Sequence, residues 1–557
     1  MAERPWNKVK LDGRYSIPPP APKPLYALLT DSAKLHPNNL CIHYQGRNLS
    51  YSQVDEISSR FAAALVSLGL KKGDRVAVFL PNMPQLVFAY FGILKAGGVV
   101  VMCNPVYVSR ELGYQLKDSG AEIVVCCKTV AKGRDLFKSL EECREGLALK
   151  HVISTSLTDY LPPLKKRLAG LAGIKDVQRE RTLDFVKLVE DNPPMSAPVA
   201  VDPANDVALL QYTGGTTGVA KGAMLTHYNL VSNAMYGAAL FPLTEHDISL
   251  CALPLFHIYG LTVTMNAPIS VGGAIVLLPS FHVEEVMKTI QGMKVSTFSG
   301  APAMYIAINS KPNAKSFNMR SVRVCMSGGS ALPPAVRRKF IELTGGNLVE
   351  GYGLSETSPV THVNPLKGGV VKDGSIGPPF CETDAKVVDS ENRYKVLPVG
   401  EIGELAVKGP QVMKGYWNQK EETDMVLEEG WFLTGDIAKM DEDGYFYIVD
   451  RKKDMVNVGG FKVYPREVED VLFEHPDIKE AGVVGVPDEF SGEVVKAFVV
   501  LKDPAKSLSE KEVIDFCTTR LAKFKVPKKV EFVPELPKTL IGKVLRRKLR
   551  ELKPQQS

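Results

Sequence analysis

From about residue 49 onward the chain alternates helix and strand signals, and this alternation limits the fold more than any other feature. Residues 49–70 (LSYSQVDEISSRFAAALVSLGL) carry apolar side chains at helical spacing behind Ser50 as a cap, with Gly69 near the end. Residues 75–80 (RVAVFL) then read as a buried strand. The pattern repeats with a helix over 85–95, a strand over 99–102, a helix over 110–119 and a strand over 122–126. Strands joined by helices pair in parallel, because each helix must cross back over one face of the sheet, so parallel sheets flanked by helices are predicted. At 557 residues the chain is well beyond the roughly 250–300 at which one core stops growing, and at least two domains are expected.

Between residues 162 and 194 the pattern gives way to a charged, irregular stretch, PLKKRLAGLAGIKDVQRERTLDF. It reads as a solvated helical excursion, the other reading being a basic amphipathic contact with a membrane surface. Alternation resumes at Leu209 and continues past Val349; beyond Ser375 short strands over 385–389, 404–408 and 446–450 form a smaller β-rich unit. The run DRKKD from Asp450 follows neither period and reads as a linker, which divides the chain into 1–450 and 451–557 with a hinge at Asp450. The second part, with a helix over 465–474, strands over 481–487 and 494–502 and a helix over 509–521, is a compact α+β unit. The fold class is therefore α/β: two parallel α/β subdomains and a small β-rich one, then the α+β domain. The first 25 residues, with Pro18, Pro19 and Pro20 in a row, read as an extended arm over the body.

The net charge of +6 is too modest to argue for a nucleic-acid partner. Nine cysteines without CxxC or Cys/His spacing read as reduced, mostly buried thiols of a cytoplasmic protein. The start, MAERPWNKVK, has no signal-peptide core, and the apolar runs 86–94 and 99–103 fall short of the roughly 20 residues that span a bilayer.

Chemistry concentrates in the loop YTGGTTGVAKG, residues 212–222, placed between a strand over 207–211 and a helix that Thr226 could cap. Gly214, Gly215 and Gly218 let main-chain amides approach an anion, Thr213, Thr216 and Thr217 add hydroxyl donors, and Lys221 adds charge. That is a phosphate-handling composition. It is not a Walker A loop, because Lys221 is followed by glycine instead of Ser or Thr.

The loop resembles the glycine-rich loop of the adenylate-forming enzymes, and further motifs follow in that family's order over nearly the whole chain. The resemblance is strongest to bacterial long-chain fatty acyl-CoA ligases, in which alanine can stand where Ala220 does. It implies ATP, Mg2+ and coenzyme A as cofactor and co-substrates, a fatty acid substrate, and a mobile C-terminal domain. In EGYGLSETSP, residues 350–359, Tyr352 offers a face for adenine, Ser355 a hydroxyl for phosphate and Glu356 a carboxylate for magnesium. The resemblance extends the nucleotide site to Glu350, Gly351, Gly353 and Ile448, to Gly329 and Ser330 of the SGGS loop, and the metal site to Thr217.

In WFLTGD, residues 431–436, Asp436 is suited to hold both ribose hydroxyls, and Arg451 follows at the family's distance to reach ribose or phosphate. PKTLIGK, residues 537–543, resembles the motif of the mobile catalytic lysine, which makes Lys543 the group that meets carboxylate and α-phosphate. On residues alone His257, in the apolar run LPLFHIYG, reads as a core histidine; the resemblance makes it a gate between acyl pocket and thiol tunnel. Gly459 and Gly460 read as a turn, and by resemblance line the pantetheine path. Leu354 stands where acetate-activating relatives carry a pocket-closing tryptophan, and the acyl pocket walls are expected within 299–302 and 361–363. A 4-coumarate or medium-chain acid is an alternative substrate, and a catalytically silent binding protein an alternative function. A homodimer and peripheral membrane contact are compatible with the resemblance.

Overall fold

In a computed structural model the described residues are 4–8, 13–131, 134–213, 220–488, 490–538 and 544–552. The first sheet has eight strands in the order Leu183–Asp184, His151–Thr155, Ile123–Cys127, Arg75–Phe79, Val99–Met102, Val207–Thr213, Lys221–Thr226 and Gly415–Tyr416. The first six are parallel, Lys221–Thr226 runs opposite to them, and Gly415–Tyr416, antiparallel to Lys221–Thr226, runs with the first six again. Helix Tyr51–Ser67 starts at Ser50, whose side chain accepts from Gln53 N in a capping box, and it packs on helix Pro84–Lys95. Every residue of Pro84–Lys95 is buried, including a cation: Lys95 Nζ donates to Asp55 Oδ1 at 2.7 Å and Ser58 Oγ at 2.8 Å.

The second sheet runs Arg47–Ser50, Leu40–Tyr44, Ala274–Leu277 and Ile248–Cys251, and bridges through Thr297 continue it into Val324–Ser327, Asn347–Gly353 and Val360–Val363. Its inner pairings are parallel, as the alternation predicted. An antiparallel unit follows, built on Asp384–Val388, Gly403–Lys408, Trp431–Met440 and Phe446–Arg451. In the C-terminal unit the long strands Ile478–Asp488 and Gly492–Leu501 pair antiparallel, and helices Pro465–Phe473 and Glu510–Thr518 enclose a separate core around Val468, Leu472, Val483 and Val499.

The phosphate-handling loop is placed differently from the expectation. Lys221–Thr226 is a strand, paired from Thr213 opposite Lys221 to Val207 opposite Thr226, so the loop joins two strands of a hairpin. Only then does Thr226 cap helix His227–Leu240, its Oγ1 accepting from Asn229 N at 3.2 Å. KGAMLT has no clean two-residue period, and pairing decides its conformation. For the same reason Asp450 and Arg451 end the strand Phe446–Arg451, and only Lys452–Asp454 form a turn.

The irregular stretch is docked at one end, where Phe185 of helix Phe185–Asp191 is fully buried with its ring 4.6 Å from Phe61; residues 163–168 stay exposed. The N-terminal arm does lie over the body, held by more than proline. Trp6 packs 6.0 Å from Phe446, and fully buried Arg14 donates from Nη1 to the carbonyls of Val363, Pro378 and Pro379. All nine cysteines are free, and all but half-buried Cys143 are buried. Among the described residues no helix is long and apolar enough to cross a membrane.

The EGYG glycines answer to packing. A Cβ on Gly353 would stand 2.0 Å from the Pro359 carbonyl oxygen across the Asn347–Gly353 and Val360–Val363 pair, and main chain there cannot yield without opening the ladder. Gly353→Ala is therefore expected to destabilise the protein by about 1–3 kcal/mol or more, seen as a lowered melting temperature; an unchanged melt would show that the strand pair gives way.

Candidate active site

Two polar clusters adjoin each other at Glu356. The first joins strand ends from different sheets. Tyr352, at the end of Asn347–Gly353, donates its hydroxyl to Asp436 Oδ2 at 2.6 Å. Asp436, only 6% exposed, stands opposite Arg451 in the register of Trp431–Met440 with Phe446–Arg451, and Arg451 Nε lies 3.6 Å from its Oδ1. Burial and then Asp436 push the Tyr352 phenol far above its ordinary value, so it remains a donor at any physiological pH. Behind it His362, buried and pushed down to about 3, sets its ring 6.0 Å from Tyr352 and 4.8 Å from Phe446. Half-buried Ile448 lies on the same strand as Arg451. The carboxylate of Asp436, oriented by a phenol and a guanidinium, is a strong acceptor for a vicinal diol.

The second cluster surrounds Lys221, buried at the mouth of the hairpin. Its Nζ pairs with Glu422 of helix Lys420–Val426 and sits 5.2 Å from the Tyr416 ring centre. Tyr416, on the edge strand beside Lys221–Thr226, donates its hydroxyl to Glu356 Oε1 at 2.9 Å. Burial raises the Glu356 carboxyl above the usual range, and the Tyr416 bond and the nearby Arg451 oppose that shift. Arg451 and Asp436 thus act electrostatically on Glu356, which couples the two clusters. A phosphate reaching Lys221 must displace or share it with Glu422. Tyr416 and Glu422 escaped the reading of the sequence, because no local period marks a two-residue strand.

Around these clusters, Glu350 is buried and accepts from Leu332 N at 3.2 Å. Gly351 follows in the same strand, where a Cβ would meet Met326 Sδ at 2.7 Å. Gly329, at φ +87°, and Ser330 are exposed just after strand Val324–Ser327, and half-buried Ser355 begins the turn Ser355–Thr357 that carries Glu356. His257 is half-buried and accepts from Tyr259 N at Nδ1, 3.2 Å, just before the π-helical Gly260–Asn266, while Tyr259 Oη donates to Met326 O at 2.7 Å. A small, mostly apolar cavity of about 30 Å³ lies beyond, lined by Phe241, Val263, Ser299, Val324, Val360 and Phe380 among others. Ser299, from the expected wall 299–302, lines this cavity, and so does Val360, beside the expected 361–363.

Thr213 closes the hairpin opposite Lys221, whereas Gly214, Gly215, Thr216, Thr217, Gly218 and Lys543 lie outside the described residues. Gly459 and Gly460, at φ +59° and +91°, turn the chain between Val456–Val458 and Phe461–Val463. Their amides donate to Ser491 O and Asn457 Oδ1, so these bonds stay within the C-terminal unit. Among the described residues no group of three or more His, Cys, Asp or Glu could hold a metal, which leaves Glu356 as the one described donor of the expected pair. That donor set fits magnesium, which typically takes one or two carboxylates and fills its shell with water and substrate phosphate.

Glu350 gives the site a pH signature. Burial pushes it up to about 7 from an ordinary 4.5, so the folded chain keeps a proton that the unfolded chain releases in that window. Its contribution to stability is present below pH 4.5 and is lost as pH rises through 7. Glu350→Gln keeps the acceptor for Leu332 N, and above pH 7 it is expected to exceed the parent by on the order of 3 kcal/mol, a margin that vanishes towards pH 4.5. Paired melts across pH measure this, and parallel curves would refute it.

Comparison with known proteins finds relatives along nearly the whole chain. The AMP-binding enzyme family profile matches residues 29–417, and that of the AMP-binding enzyme C-terminal domain matches 467–543. The chain is 44% identical to a long-chain-fatty-acid–CoA ligase of Bacillus subtilis, covering 99% of this chain and 98% of that protein. It is 40% identical to the Escherichia coli protein of the same description, covering 98% and 97%. The crystal structure of ATP-bound MatB from Rhodopseudomonas palustris superposes with a TM-score of 0.83 at 32% identity, over 95% of this chain and 98% of that one. With the family profile over most of the chain and relatives at 40% identity or more along nearly all of it, the chain belongs to the AMP-binding enzymes.

Proposed function

We propose that the chain joins a long-chain fatty acid to coenzyme A in two half-reactions at one site. In the first, a carboxylate oxygen of the acid attacks the α-phosphorus of ATP, the bond to the bridging oxygen breaks, and pyrophosphate leaves with its electron pair. In the second, the coenzyme A thiol gives up its proton to solvent and attacks the acyl carbon of the adenylate; the acyl–oxygen bond breaks and AMP departs with its electron pair. The convergence of Lys221, Glu356, Tyr352, Asp436 and Arg451 from distant parts of the chain supports this reading most. A silent binder would have no physical need for that set.

Asp436 holds the ribose hydroxyls, Tyr352 lies along the adenine, and Arg451 balances charge between ribose and phosphate. Thr213, Lys221 and the rest of the loop take the β- and γ-phosphates. Glu356 and Thr217 would hold magnesium, which screens the phosphate charge when bound. Lys543 brings positive charge to the carboxylate and α-phosphate as they approach. Gly459 and Gly460 face the pantetheine arm after the C-terminal unit turns at Asp450. In support of that hinge, the Asp450 carboxylate accepts from Arg466 N at 2.7 Å and Arg546 Nη1 at 2.9 Å, both beyond it in the chain. His257 stands between the two substrate paths. The names of the relatives favour a long chain.

Pyrophosphate release with ATP, magnesium and acids from acetate to oleate, plus coumarate, tests this with and without coenzyme A. Release peaking between dodecanoate and oleate, with thioester formed only when coenzyme A is present, is expected. Release confined to short or aromatic acids would overturn the substrate, and none with any acid would overturn the activity.

A further inference from the structure

The segment after Pro162 leaves an apolar face in solvent that the fold does not use. Helix Pro163–Leu168 and the turn Ala169–Ala172 present Leu164, Leu168 and Leu171, which are 69%, 48% and 87% exposed. At about 100° per residue these three fall within roughly 60° of one another, while Lys165 and Arg167 flank them on either side. Ala169, the one buried residue here, lies round the helix from the leucines and marks the side that meets the body. No acid occurs between residues 160 and 175, and among the described residues no ion pair engages Lys165, Lys166 or Arg167. Single exposed leucines need no account, but a stripe of three with cations on its flanks does. Nor is so short a helix stable by propensity alone.

We propose that this face is a membrane contact, in which the leucines enter the headgroup–acyl boundary of an anionic lipid surface while Lys165 and Arg167 stay level with the phosphates. The helix, about 9 Å long, lies in the interface and does not cross it. Charge decides the occupant. A second copy docking through this face about a two-fold axis would set like cations against each other, whereas an anionic bilayer offers hydrocarbon to the leucines and opposite charge to their flanks.

The test is sedimentation of the full chain with vesicles of phosphatidylcholine, with or without a third of phosphatidylglycerol. Binding is expected only or mainly with phosphatidylglycerol. Lys165→Glu with Arg167→Glu should weaken it about tenfold or more, as should raised salt. Leu164→Ser, Leu168→Ser and Leu171→Ser together should weaken it comparably, and because these side chains are exposed their melts should match the parent's. Leu171→Trp supplies a second readout, its emission shifting to the blue on anionic vesicles. The proposal is overturned if the parent ignores anionic vesicles, if the leucine variant binds as the parent does, or if the leucines instead support a dimer without lipid. Vesicle binding is read without turnover, so its failure is distinct from failure of the acyl-ligase reading.

Discussion

Lys543→Ala is expected to slow adenylation by about 10²–10³-fold while leaving conversion of supplied acyl-adenylate to thioester nearly intact. Adenylation brings a carboxylate to a phosphate that is itself losing a pyrophosphate anion, so its transition state concentrates negative charge that a lysine can offset. Thioester formation involves no attack at phosphorus and no departing pyrophosphate, because the adenylate is already made. The expectation rests on Lys543 closing the PKTLIGK motif, three residues before Arg546, whose guanidinium binds Asp450 at 2.9 Å and Glu469 at 2.8 Å. Separate assays of pyrophosphate release and of acyl-adenylate plus coenzyme A measure the two steps. Equal loss in both would remove the role.

Asp436→Ala should behave differently and impair both half-reactions, since the ribose is held through both. The substitution also leaves the Tyr352 hydroxyl and the Arg451 guanidinium without the carboxylate that orients them. Charge-assisted hydrogen bonds contribute about 1.5–3 kcal/mol each, so a fall of roughly 10²-fold in kcat/KM for ATP is expected, with a comparable loss for supplied acyl-adenylate. Asp436→Asn, which keeps the shape and one acceptor, should recover part of it. An unchanged KM for ATP would place the ribose elsewhere.

Local elements were readable where local physics governs them. Helix Tyr51–Ser67 follows from Ser50 and its apolar spacing, Glu510–Thr518 from Ser509, and Val99–Met102 from an unbroken apolar run. Strand Lys221–Thr226 was not readable, because its pairing partner decides it. The candidate site divides in the same way. Motifs marked Tyr352, Glu356, Asp436 and Arg451 one at a time, with Tyr352 assigned to adenine and Asp436 to ribose. That the phenol bonds the carboxylate, across 84 residues of chain, depends on how separate sheets abut. Glu422 reaches Lys221 across 201 residues, and no composition or spacing near either predicts the pair.

The buried arginine of the arm imposes an order on assembly. The carbonyls that receive Arg14 belong to Val363, Pro378 and Pro379 and are made at least 349 residues after it. At roughly 5–20 residues per second its guanidinium waits on the order of 20–70 s for those partners to leave the ribosome. The arm is therefore among the last parts of the large domain to settle although it is made long before its partners, and during that interval it is open to chaperones and proteases.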